Sequence, residues 1–136
     1  MIRPLLLALA LAACGPAERH VADGDVNARR AAAGLPPVTR SVRADRAAAR
    51  HAQDMAANGF FAHQGSDGSS HTDRLRAVGC GPGAENLAWG QTSAEAAMDA
   101  WMASEGHRRN ILNPDLRAYG LANAGDIWVM VLATRC

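Results

Sequence analysis

Between Ser41 and Asn58 the small apolar residues Ala44, Ala48, Ala52, Met55 and Ala56 recur every three to four positions, while Arg46, Arg50 and Asp54 fall elsewhere. That period predicts an amphipathic helix. An alanine-rich inner face also predicts close approach to a neighbouring element. Gly59 supplies a stop, and Phe60-Phe61 beyond it are expected to turn inward as core anchors. A second stripe of Ala94, Ala97, Met98, Trp101 and Met102 follows Thr92-Ser93-Ala94-Glu95, which has the spacing of a capping box. Ser70-His71-Thr72-Asp73 has the same spacing and predicts a short helix ending at Gly79. Two further short helices are expected. One covers Val26 to Ala33, capped by Asp23 or Asp25 and closed by Gly34 and Leu35-Pro36-Pro37; the other covers His107 to Leu112 and ends at Asn113-Pro114.

The strands come late. Ile127 to Ala133 is continuously apolar and rich enough in branched residues to be a central strand. Tyr119 to Asn123 reads as its hairpin partner across Ala124-Gly125-Asp126, and Glu85 to Trp89 as a third strand. The fold class is therefore α+β: helices packed on a small, mainly antiparallel sheet of about three to four strands.

The first residues belong to a different pattern. One positive charge at Arg3 precedes an unbroken apolar run from Leu5 to Ala13. That run is shorter than the about 20 residues a spanning helix needs, so it reads as an export signal. It ends Leu11-Ala12-Ala13-Cys14-Gly15, like a bacterial lipobox, in which cleavage precedes a cysteine that receives a diacylglyceryl anchor. Plain secretion after cleavage near Ala13 is the alternative. The expected organisation is a signal peptide at 1–13, a tether at 14–24 and one domain at 25–136. In an exported protein the two remaining cysteines, Cys80 and Cys136, are expected to form a disulfide that pins the C-terminal residue.

Composition changes this picture only by exclusion. With 14 Lys and Arg against 13 Asp and Glu the net charge is +1, and the basic residues form no aromatic-interleaved stripe. Nucleic acid is not an expected partner. There is no Gly-x-Ser-x-Gly context, no phosphate-cradling glycine loop and no regular acidic spacing around Asp67-Gly68.

The candidate chemistry lies at element boundaries. His63 opens a loop, Glu85 begins a strand and His107 begins a short helix. Two imidazoles and a carboxylate could hold a divalent cation such as zinc or magnesium, or form a proton-transfer pair. Their wide spacing equally allows separate roles, with Glu85 paired to Arg108 or Arg109. His71, beside a capping box, and His51, on the long helix, carry no such signal.

Taken in order, Asn27-Ala28-Arg29-Arg30, Gly34-Leu35-Pro36, Ala52-Gln53-Asp54-Met55-Ala56, Phe61-Ala62-His63, Asp67-Gly68, Arg74-Leu75, Gly83-Ala84-Glu85-Asn86-Leu87-Ala88-Trp89-Gly90 and Trp101 through Leu112 resemble a compact bacterial member of the CAP superfamily, or SCP domain. The resemblance implies an α-β-α sandwich and a cleft of two His and two acidic residues. His63, Glu85 and His107 match three of these. The fourth position holds Ser104, and Glu105 beside it, turned about 100° away on a helix, is an accessory to the cleft. The resemblance further implies an exported, envelope-associated binding module for a lipid or an envelope protein, attached to the membrane through its N-terminal lipid. A metal-dependent hydrolase using the His/Glu cleft is the alternative. In a third possibility the polar cluster only holds loops.

Overall fold

A computed structural model describes residues 24–136. The expected signal segment 1–13, the expected lipidation site Cys14 and the expected tether up to residue 23 lie outside the described residues. In chain order the elements are α1 (Val26–Ala32), β1 (Thr39–Arg40), α2 (Val42–Asn58), α3 (His71–Ala77), β2 (Gly83–Trp89), α4 (Ala94–Ala103), α5 (Glu105–Ile111), β3 (Ala118–Ala124) and β4 (Ile127–Ala133). The strands form one sheet in the order β1-β3-β4-β2, antiparallel except for the short parallel β1–β3 pair. The two-residue β1 was not foreseen, because so short a segment carries no period.

β4 is apolar throughout because both its faces are covered. Trp128, Met130 and Leu132 pack with α1, α4 and α5, while Ile127, Val129, Val131 and Ala133 pack under α2 and α3. The result is the expected three-layer arrangement. The hairpin between β3 and β4 is one residue tighter than expected, since Ala124 pairs with Ile127 and only Gly125-Asp126 turns. Gly125 takes φ +60°, as the first position of a primed hairpin turn requires.

The alanine face of α2 does bring backbone close to backbone. A Cβ on Gly120 of β3 would lie 2.1 Å from the Ala44 carbonyl carbon, so only glycine fits beneath the helix. Two residues depart from expectation here. Ala56 is exposed, with the buried stripe running instead through Ala47 and Met55. Phe61 is 44% exposed and not a core anchor, because the chain past Gly59 turns along the surface. Arg30, fully buried, ties α1 to the C-terminal end of α5 by donating to the carbonyls of Pro36 (2.9 Å), Ile111 (2.8 Å) and Asn113 (2.9 Å). The Cys80–Cys136 disulfide is formed and closes the chain end onto the segment before β2.

β2 is an edge strand, yet its outward carbonyls are not open. Gly83 accepts from His71 Nε2 (3.1 Å), Glu85 from Asn110 Nδ2 (3.5 Å) and Leu87 from Trp101 Nε1 (2.9 Å). Side chains from three helices thus cap alternate residues of the edge, which blocks pairing with another strand. The same arrangement builds the site.

Candidate functional site

Glu85 is positioned by strand alternation. On β2 its side chain points to the α2–α3 layer, whereas that of Asn86 points to α5, where it donates to the His107 carbonyl (3.0 Å). The buried Glu85 carboxylate is fully engaged. Oε1 accepts from His63 Nδ1 at 2.8 Å and Oε2 from Arg74 Nη2 at 2.8 Å. Arg74 is itself buried, and its guanidinium also donates to the carbonyls of His63 (2.9 Å) and Ser69 (2.8 Å). One buried ion pair therefore clamps the 63–69 loop onto the edge strand. α3 brings Arg74 inward on a short, well-capped helix, in which Ser70 and Asp73 bond reciprocally.

The clamp sets the tautomer of His63. With a carboxylate as partner, Nδ1 must donate, so Nε2 is left as the free nitrogen on a ring that is 58% exposed. His63, His71, Ala84, Glu85 and Asn110 line a cleft of about 310 Å³. His107 stands at its side on α5. Burial, and then the neighbouring His63, push the His107 pKa below its ordinary 6.5.

Behind Glu85 lies a further imidazole. His51 is fully buried on α2, donates from Nε2 to the Ala62 carbonyl at 2.7 Å and stands 3.8 Å from Glu85 Oε1. Burial lowers its pKa despite the adjacent carboxylate, so it is neutral at pH 7, and its Nδ1 has no partner among the described residues.

Of the three residues expected to form the site, Glu85 bonds His63 directly, whereas His107 meets the pair only through its electrostatic proximity to His63. Glu85 orients His63 and neutralises Arg74. Its two oxygens are spent on these partners, and a guanidinium 2.8 Å away opposes a second cation. As a three-ligand cation set, His63, Glu85 and His107 do not fit, and no group of three His, Cys, Asp or Glu among the described residues has the geometry to hold a metal ion. Neither Ser104 nor Glu105 lines the cleft; the Glu105 side chain is 78% exposed and holds Arg109 at 3.0 Å. Glu85 pairs with neither Arg108 nor Arg109. Arg74, His71, His51 and Asn110 were not recognised as neighbours of the site. Arg74 and Asn110 lie in the family-like segments, whereas His71 and His51 carry no such signal.

A second concavity lies at the other end of the sheet. Met55, Phe60, Phe61, Trp89, Ala124 and Ile127 line an apolar groove of about 360 Å³. Phe61 and Trp89 flank it with ring centroids 6.0 Å apart, and Trp89 remains 63% exposed. Its indole N–H donates to Asp126 Oδ2 at 2.9 Å, which fixes the ring and leaves its apolar face free.

The profile of the cysteine-rich secretory protein family (CAP) matches residues 24–126. Bacillus subtilis protein YkwD is 37% identical over 106 residues, covering 75% of this chain and 41% of that protein. Among solved structures, an extracellular SCP-domain protein of Bacillus anthracis superposes with a TM-score of 0.76 at 26% identity, over 79% of this chain and 37% of that one. An outer surface protein of Borrelia burgdorferi shares the fold with a TM-score of 0.72 at 19% identity, over 82% of this chain and 87% of its own. The chain thus spans about two fifths of the length of the two Bacillus proteins.

Proposed function

Since the chain belongs to the cysteine-rich secretory protein (CAP) family, we propose that it is an exported binding module of the bacterial cell envelope that holds a lipid chain without transforming it. The observation that carries this reading is the apolar groove edged by Phe61 and Trp89. Soluble domains keep such aromatics inside unless something apolar covers them, and a concave apolar wall is the usual form of a small-molecule site. At about 360 Å³ the groove has room for about a dozen groups of some 30 Å³ each, the scale of one aliphatic chain. Among the described residues its only charged lining residue, Asp126, already accepts from Trp89, so an uncharged apolar segment is the matching occupant. Export agrees with the Leu5–Ala13 segment, with the disulfide and with the extracellular Bacillus anthracis relative. Anchoring through Cys14 is part of the same proposal.

The polar cleft supports binding over chemistry. Among the described residues its lining holds no hydroxyl or thiol, and Cys80 and Cys136 are joined in a disulfide, so His63 has no side-chain nucleophile there to activate. The test is exchange of a fluorescent fatty alcohol between vesicles and the protein. Saturable binding that weakens about tenfold or more in Phe61→Ser/Trp89→Ser is expected, in line with the loss of two large apolar contacts. Equal binding by the variant would remove the groove from the proposal.

A metal-dependent hydrolase is the second reading, kept open by the free Nε2 of His63 beside His107. These two imidazoles alone make fewer ligands than the three protein groups a catalytic zinc site uses while Glu85 stays in its clamp. Calorimetric titration of zinc into the chelator-stripped protein is therefore expected to show no tight site. Low-micromolar binding that vanishes in His63→Ala/His107→Ala would favour the metal.

A further inference from the structure

We infer that the end of the domain bearing Phe61 and Trp89 is its membrane-facing end, with the two rings seated in the interfacial layer of the bilayer to which the chain is tethered. Three observations at that end converge. The first is the exposed aromatic pair. Trp89 shows most of its ring to solvent, Ala56 and Gly59 beside the groove are also exposed, and the one acid lining the groove is engaged by Trp89 itself. Among the described residues the groove lining carries no charge besides Asp126, and an aromatic surface of this kind suits the bilayer interface, where Trp rings sit between apolar and wet surroundings.

The second is where the chain enters the domain. Gly24, at φ +62°, packs so tightly on the first turn of α4 that an added Cβ would lie 2.8 Å from the Ala94 carbonyl oxygen. Ala94 follows Trp89 by five residues, and the intervening loop is tied to the hairpin end by Gly90 N donating to Asp126 O (2.9 Å) and Trp128 Nε1 donating to Gln91 O (2.8 Å). The N-terminal entry, the β3–β4 turn and the aromatic pair therefore share one end of the sandwich, opposite the disulfide.

The third is reach. Nine residues lie between Cys14 and Gly24, which makes ten steps along the chain. At full extension they span about 35 Å, roughly the diameter of a domain this size. A domain on so short a lead, entering at Gly24, presents that end to the bilayer. The polar cleft, near the disulfide, then faces outward. This inference rests on the anchoring in the proposal above, and it adds the surface that the anchor brings down.

The test uses the full chain, coupled at Cys14 through a maleimide phospholipid to phosphatidylcholine vesicles whose acyl chains are brominated near the headgroup. The synthetic tether makes the result independent of whether cells lipidate Cys14, which the mass of the natural protein answers separately. Of the three tryptophans, Trp101 and Trp128 are buried. The emission difference between the wild-type chain and Trp89→Phe therefore isolates Trp89. It is expected to fall about twofold or more on brominated vesicles relative to unbrominated ones. Undiminished Trp89 emission on tethered protein overturns the inference, as it would if a protein partner covered the patch. Equal quenching in Trp89→Phe also overturns it, since the buried tryptophans would then be meeting lipid. Lipid exchange by the groove can fail while Trp89 is still quenched, so the two proposals fail separately.

Discussion

A single carboxylate shows how much depends on one residue's neighbours. Glu85 is wholly buried, and what makes that tolerable is the pair of donors at 2.8 Å from Arg74 and His63. Removing one partner of such a pair leaves a charge without compensation, at a loss of about 3–5 kcal/mol. Arg74→Met should lower stability by that order in urea unfolding, and adding Glu85→Gln should recover part of it. A loss below about 1 kcal/mol would mean the clamp is not a determinant of the fold. The imidazoles give a pH signature. His51 and His107 both have folded pKa values below the unfolded 6.5, so as pH falls below 6.5 the unfolded chain takes up protons first. Stability contributed by the neutral imidazoles is present above that pH and is lost as pH falls toward the folded values. The urea midpoint should therefore drop between pH 7 and 5. Asp67, held at about 2 by its bonds from Ser69 and by Arg50, changes stability only at more acidic pH. A flat midpoint across that range would contradict the burial of His51.

At the scale of elements, the close seat of α2 on β3 is the most demanding contact. Gly120→Ala would press a methyl group into the Ala44–Asp45 backbone, and a shift of the helix would disturb Asp45, whose Oδ1 accepts from Leu121 N at 2.9 Å. Overpacking of this kind costs about 1–3 kcal/mol, and rigid backbone on the other side places this case at the upper end. Thermal unfolding of Gly120→Ala against Ala44→Gly would check it, since the second variant opens space without adding bulk. An unchanged midpoint for Gly120→Ala would show that α2 can ride outward freely. The edge strand is the other element-level device: three side-chain donors on alternate carbonyls of β2 replace a missing neighbour strand.

At the scale of the whole molecule, one covalent link spans the fold. The disulfide joins residues 56 apart and pins the end of the chain. By loop-closure entropy it contributes about 4 kcal/mol. Reduction under native conditions should lower the unfolding free energy by that order without changing the far-ultraviolet circular dichroism at low temperature. A stability unchanged by reductant would mean the C-terminal residue is held by packing alone. The molecule also sets an apolar groove at the hairpin end apart from a polar cleft along the edge strand near the disulfide.

Much of this was legible in the linear pattern. The period of α2, the capping box of α3 and the unbroken apolar run of β4 depend on residues a few positions apart, so local reading placed those elements and the fold class; α4 is capped by Ser93 and not by the expected Thr92-Glu95 box. The family-like segments likewise held both His63 and Glu85, which the fold brings into contact. What tertiary structure decided is which atoms those side chains offer. Glu85 became an internal anchor because Arg74, from a separate helix, reached it first, and His71 entered the cleft because an edge carbonyl needed a donor. Phe61 became surface because the chain turned at Gly59. Hydrogen bonds and ion pairs are satisfied between residues distant in sequence, at ångström separations that no spacing along the chain encodes, and it is this competition for partners that sets the chemistry of the site.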